Sequence, residues 1–283
     1  MTTVLASPMG DFWNFSQTAD LLSRTFVQQS LVALALLGLV GGLLGPMIVA
    51  RQMSFAVHGA AELSFTGAAA ALLLGFSVNL GGVIGAVLAA AVFGWLGNRA
   101  RERDSVIGVV MAFGLGLGVL FLHLYGRAGT GFALLTGQVV SVGKSGLVAV
   151  AITAAVVIAV LALIYRPLLF ASLDPRVATA TGVPMRLLSV VFAILVGLAA
   201  AQGVQIIGAL LVMSLLITPA AAAGRLTASP LRQVMLSVVF AEIAAVGGLI
   251  LSLAPELPVS VLVTTISFII YLICRAVGMR ARS

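Results

Sequence analysis

Residues Met53–Gly67 read M-S-F-A-V-H-G-A-A-E-L-S-F-T-G, an apolar and small-residue run interrupted by His58 and Glu62. A run of this kind reads as part of a membrane-spanning helix, which sets the fold class for everything around it. At 3.6 residues per turn, positions i and i+4 share one face, so the imidazole and the carboxylate stack one turn apart. A titratable pair at that depth is costly, and membrane proteins tend to keep one only where it is used. Imidazole nitrogen with carboxylate oxygen is a ligand pair suited to zinc and acceptable to manganese or iron. Alternatively, His58 and Glu62 form a helix-packing pair and merely satisfy each other.

The rest of the chain agrees with the membrane reading. Of its 283 residues, 61% are hydrophobic and 8% charged, and the mean hydropathy is +1.23. Soluble domains carry roughly 25% charged residues. Several apolar runs of about 20 residues are each long enough to cross the hydrocarbon core. The short alternating segments of an outer-membrane barrel are absent. The expectation is an all-α integral membrane protein with about nine transmembrane helices, within a range of eight to ten. The net charge of +7 then records topology and does not imply nucleic acid. A lone cysteine, Cys274, excludes an internal disulfide and a multi-cysteine metal centre. No cleavable signal peptide is expected, because residues 1–29 lack a basic start and the first apolar run comes late.

In order, residues 1–26 form a polar N-terminal segment whose Phe12, Trp13 and Phe15 suit an interface. A transmembrane domain fills 27–276, and 277–283 form a tail. Spans are expected at 27–50, 54–76, 81–97, 105–125, 146–165, 187–203, 206–223, 233–253 and 258–274. Residues 126–145 hold a Gly-rich connection with a short apolar piece, and 166–186 are a polar segment. The pairs Gly38/Gly42, Gly41/Gly45, Gly81/Gly85 and Gly114/Gly118 read as helix-packing faces.

Charge placement orients the chain. Arg51, Arg99, Arg101, Arg103, Arg166, Arg176, Arg186, Arg225, Arg232, Arg275, Arg280 and Arg282 fall at ends that nine alternating spans assign to one side. Arg24, Arg127 and Lys144 fall on the other. This imbalance predicts an outside N-terminus and a cytoplasmic C-terminus. Merging 187–203 with 206–223 would move Arg225 and Arg232 outside, so charge favours two spans there. Glu62 then lies about eight residues, or ~12 Å, into the second span. That is close to the midplane of a hydrocarbon core about 30 Å thick, where transporters tend to hold substrate.

Gly137–Ser145, G-Q-V-V-S-V-G-K-S, resembles a phosphate-binding loop but places five residues between its glycines where four are required. It also falls on the expected outer side, away from cytoplasmic ATP. No hydrolytic motif appears, so uphill transport would draw energy from a partner or an ion gradient. In F-A-S-L-D-P-R-V-A-T-A-T-G-V-P, Phe170–Pro184, Asp174 then Pro175 signal a helix start. Gly182 then Pro184 signal its end. About two turns lie between, too short to span. They form either a surface loop helix or an element docking into a cytoplasmic partner.

Four stretches in this order resemble the permease of zinc/manganese ABC importers. They are M-S-F with H-x-x-x-E, D-S-V-I-G at Asp104–Gly108, Leu173–Pro184, and G-A-L-L-V-M-S-L-L-I-T-P-A-A-A-A at Gly208–Ala223. The resemblance covers residues 30–275. It implies a type II ABC importer-like permease, multi-pass in a bacterial plasma or inner membrane. It implies a second copy of the chain around a central path, a cytoplasmic ATP-binding cassette ATPase and an extracytoplasmic metal-binding protein. It implies no permanently bound cofactor: Zn2+ or Mn2+ is cargo, and the partner ATPase uses ATP. By the same resemblance Leu173, Asp174, Pro175 and Gly182 belong to a coupling helix, about 173–184, that enters a cleft of the ATPase. Relatives commonly carry aspartate and, four residues on, histidine where this chain has His58 and Glu62. One imidazole and one carboxylate remain, with order swapped and a longer carboxylate.

Further polar residues have two readings each. Asp104 with Ser105 caps the fourth helix or assists metal exit. Glu242, inside the eighth span, is a path or proton-linked residue or a structural hydrogen-bonding one. His123 is interfacial or a ligand at the outer mouth, and Gln202 and Gln205 belong to a wet loop. The function expected is a transport subunit, not an enzyme. It would move a divalent metal, zinc before manganese, past His58 and Glu62 by weak ligation that does not trap the ion. The alternatives are a proton-coupled secondary metal transporter using Glu62 and Glu242, and a non-transporting scaffold.

Overall fold

The computed structural model describes residues 15–96, 100–126, 142–208, 212–255 and 257–280. Most of the Gly-rich connection at 126–145 and its expected apolar piece lie outside them. The described residues form helices joined by turns. In chain order these are α1 (Phe15–Leu22), α2 (Thr25–Ala50), α3 (Ser54–Leu74), α4 (Val78–Leu96), α5 (Ala100–Tyr125), α6 (Lys144–Leu173) and α7 (Pro175–Ala180). They continue as α8 (Met185–Ile207), α9 (Val212–Leu216), α10 (Thr218–Leu226), α11 (Pro230–Leu253) and α12 (Val259–Arg280). Eight of them are long and apolar enough to cross a membrane.

Three helices form the centre. The most apolar stretches of α2, α3 and α8 are 67%, 56% and 72% buried, against 17% for α5 and for α12. The central core joins Val40, Leu44 and Ile48 of α2 to Val57, Ala60 and Ala61 of α3 and to Phe192, Val196 and Ala200 of α8. The outer helices turn Phe113, Val119, Ile152, Leu163 and Ile273 outward, as lipid-facing surfaces do. Small residues let the central helices approach closely. A side chain on Gly42 would strike the backbone of Val238 in α11, and one on Gly85 the carbonyl of Leu63 in α3. The glycine pairs are therefore packing faces.

Neighbouring contacts fix directions. Gly42 meets Val238 while Gly38 meets Ala241 and Ala245, so α2 and α11 are antiparallel. Phe55 lies by Gly108 and Leu63 by Gly114, so α3 and α5 run the same way. Arg51 bonds to Ser172 near the end of α6 and to Ser189 near the start of α8. Arg225 meets Gly278 and Tyr271 of α12. Arg51, Arg176, Arg186, Arg225, Arg232 and Arg275 thus gather at one end of the bundle, and Arg24 and Lys144 start α2 and α6 at the other.

Four expectations need correction. The fifth span does not end at 165: α6 continues through Pro167 to Leu173, because Leu168 and Ala171 are buried against the core. Gln202 and Gln205 are not in a loop. Both lie in α8, Gln202 buried and Gln205 donating to the Asn79 carbonyl at 3.3 Å. Gly203 there is a close-approach residue against Val212, not a helix end. Asp104 does not cap α5, which begins at Ala100, since Ala-Arg-Glu-Arg is a favourable helix former.

Lastly, the span expected at 206–223 is broken. It turns at Gly208, whose φ of +97° suits glycine, and returns through α9 and α10. Pro219 has no N–H for the Leu215 carbonyl, and that oxygen packs against Gly41 of α2. Counting this short return, the described helices change direction as nine alternating passages do.

Candidate metal site

The site starts from a tight corner. At the end of α2, Met53 donates to the Ile48 carbonyl at 2.9 Å and Gln52 to that of Val49 at 3.1 Å, with Gln52 at φ +53°. This is the paired-bond helix ending usually made by glycine; the strained glutamine costs about 1 kcal/mol. Ile48 and Met53 are both buried in the core. The chain leaves this corner directly into α3.

On α3, Gly59 faces Phe93 and Ile107, and Leu63 and Thr66 face Gly114 of α5. Val57 and Ala61 face the core with α2. His58 and Glu62 occupy the strip between. The His58 side chain is 26% exposed and that of Glu62 6%, so imidazole forms the rim and carboxylate the floor. The Phe55 ring is tilted beside His58, its centroid 6.5 Å away. Thr66 pins the next turn by donating to the Gly114 carbonyl at 2.7 Å.

His58 Nε2 stands 4.0 Å from Glu62 Oε1, beyond hydrogen-bonding distance. His58 Nδ1 and Glu62 Oε2 are buried without a hydrogen-bond partner. Leaving such groups unpaired is unfavourable, and more so for a carboxylate. A pair built to satisfy itself would close that gap. Two donors each about 2.1 Å from one ion at a tetrahedral angle stand ~3.4 Å apart. Closing from 4.0 Å is a side-chain adjustment.

The other expected site residues are not gathered here. Among the described residues no three His, Cys, Asp or Glu side chains form a group that could hold a metal. Asp104 is exposed near the start of α5. Glu242 lies against Gly38, on the side of α2 that faces α11. Glu242 thus belongs to the α2–α11 contact and is not gathered with the pair. His123 is exposed near the far end of α5.

Asp174 caps α7, accepting from the backbone N–H groups of Arg176 at 3.1 Å and Val177 at 3.0 Å. Pro175 is its first residue. Gly182, at φ +82°, ends it: Val183 donates to the Ala178 carbonyl and Gly182 to that of Thr179. Ala178 is fully buried, while Leu173 and Val177 are 70% and 46% exposed. The element rests on the core and presents apolar side chains outward. The residue that sequence reading did not single out is Arg51. It counts as one basic residue among twelve, with no signal of its bonds to Ser172 and Ser189.

Comparison with known proteins bears on the chain as a whole. The ABC 3 transport family matches residues 23–278. The manganese transport system membrane protein MntC of Halalkalibacterium halodurans is 32% identical over 237 residues, covering 82% of this chain and 80% of that one. The high-affinity zinc uptake system membrane protein ZnuB of Haemophilus influenzae is 26% identical, covering 76% and 84%. A solved structure, PsaBC from Streptococcus pneumoniae in complex with Fab, superposes with a TM-score of 0.82 at 24% identity. It covers 92% of this chain and 95% of that one, a likeness of fold.

Proposed function

This chain belongs to the ABC 3 transport family, and from that premise we propose that it is the permease of an ATP-driven importer that carries a transition-metal dication past His58 and Glu62. It is a transport subunit and not an enzyme. A separate cytoplasmic ATPase hydrolyses ATP and docks on α7, and an extracytoplasmic binding protein delivers the metal. The observation that carries this reading is the pair itself: imidazole and carboxylate 4.0 Å apart, each with a buried atom lacking a partner.

A dication that sheds water needs donors at each step, and the neighbouring Val57, Ala60 and Ala61 offer no side-chain donor. Two donors from one chain form an open site, which passes an ion where a closed four-ligand site would hold it. A second copy of the chain would bring a matching pair to a shared central path. The basic end of the bundle, with α7 and the end of α12, faces the cytoplasm by the charge rule. Donor chemistry ranks zinc above manganese at an imidazole, whereas the relative at 32% identity is named for manganese. A proton-coupled transporter would need Glu62 and Glu242 to exchange protons, and Glu242 packs against Gly38 of α2, apart from the pair.

Uptake of Mn2+ and Zn2+ into vesicles holding the assembled complex tests this reading. It should require ATP, stop with vanadate, and withstand a protonophore. Uptake that follows the proton gradient and ignores ATP would contradict it.

A further inference from the structure

One guanidinium grips both roots of the docking element. Arg51 Nη2 donates to Ser189 Oγ at 2.6 Å, and Nη1 reaches Ser172 Oγ at 3.4 Å. Its Cζ lies 5.9 Å from the centre of the Phe192 ring. Ser172 sits three residues before Pro175, the first residue of α7, and Ser189 follows four residues after α8 begins at Met185. Anything that displaces α7 therefore pulls on one or both hydroxyls.

The other end of Arg51 is equally committed. It closes α2, the left-handed Gln52 follows, and α3 starts at Ser54. The corner has little slack, because Met53 and Ile48 are buried and joined by a backbone bond. His58 is seven residues beyond Arg51 and four into α3, about 6 Å along that helix from its start at Ser54. The Ser172 hydroxyl is itself anchored to the Leu168 carbonyl at 2.6 Å, so its place follows the last turns of α6.

We propose that Arg51 is a positioning residue that couples movement of α7 to the His58–Glu62 strip, through Ser172 and Ser189 on one side and the Gln52 corner on the other. The planar fork suits this task, since it holds two acceptors on different helices at fixed angles; a lysine offers one point of attachment. This rests on the metal reading above and extends it to the route by which ATP-driven motion reaches the ligands.

The test uses the assembled transporter in vesicles, with Mn2+ and Zn2+ as probes, measuring metal delivered per ATP hydrolysed. For Arg51→Gln, and for the double variant Ser172→Ala/Ser189→Ala, metal per ATP should fall about tenfold while hydrolysis changes by less than about twofold. Arg51→Lys should fall between. A merely structural role would lower both rates together through loss of complex and leave the ratio unchanged. That result overturns the proposal, as does failure of the double serine variant to assemble. Glu62→Gln run alongside separates the two levels. If it blocks uptake while the Arg51 variants keep the normal ratio, only the coupling role falls. If it transports normally, the ligand reading falls, whatever the Arg51 variants do.

Discussion

His58 Nε2 and Glu62 Oε1 face each other across one turn of α3 at 4.0 Å, near enough to share an ion and too far to share a proton. With Nδ1 and Oε2 both buried and unpartnered, the pair is under-satisfied in the resting chain. That condition favours a cationic visitor. His58→Ala should therefore abolish uptake while leaving the protein folded, because no hydrogen bond between the two is lost. Size-exclusion profiles and thermal unfolding in detergent check the second half; a collapsed yield would mark a structural pair.

The capped helix α7, proposed above to dock on the ATPase, gives a sharper expectation. Asp174→Ala removes the acceptor for the Arg176 and Val177 N–H groups and should cost about 1 kcal/mol of local helix stability. Gly182→Ala places a side chain at φ +82°, at a cost of about 1–2 kcal/mol. Both proteins should insert normally, and metal-stimulated ATP hydrolysis should drop. Unchanged stimulation in both would remove the docking role.

Much of this was legible because the membrane simplifies the code. Long apolar runs gave all eight long helices, and Asp174-Pro175 with Gly182 gave α7 and both its caps. Two of the failures share a cause: a local residue read as a boundary was playing a tertiary part. Gly203 reads as a loop but is a close approach to Val212. Arg166-Pro167 reads as an end, yet burial of Leu168 carries α6 onward. The break before Pro219 had a local signal in Thr218-Pro219 that the apolar run outweighed. At the site, His58 and Glu62 stand out as polar residues in an apolar helix. The bonds of Arg51 span 121 and 138 residues of sequence, which no local pattern encodes.

Packing yields a paired test. A side chain on Gly42 meets the Val238 backbone, whereas one on Gly116 meets open space. Gly42→Ala should destabilise by roughly 1–3 kcal/mol. Gly116→Ala should be neutral or gain up to about 1 kcal/mol from helix propensity. Unfolding midpoints in one detergent compare the two, and equal midpoints would contradict the α2–α11 contact.

Orientation follows from the basic end of the bundle. In a Cys274→Ser background, cysteines at positions 176 and 232 should be labelled only from the cytoplasmic side, and one at position 24 only from outside. Labelling of position 176 from outside would invert the topology and leave α7 unable to meet an ATPase.

Glu62→Gln bears most directly on the central claim, because it keeps the shape and hydrogen bonding of the side chain and removes its charge. Uptake of Mn2+ and Zn2+ by a complex carrying this substitution, expressed and assembled as the parent is, should fall by about a hundredfold or more, the loss of roughly 3 kcal/mol of charge-assisted ligation. Normal uptake of either metal by the well-assembled variant would contradict a ligand role for Glu62.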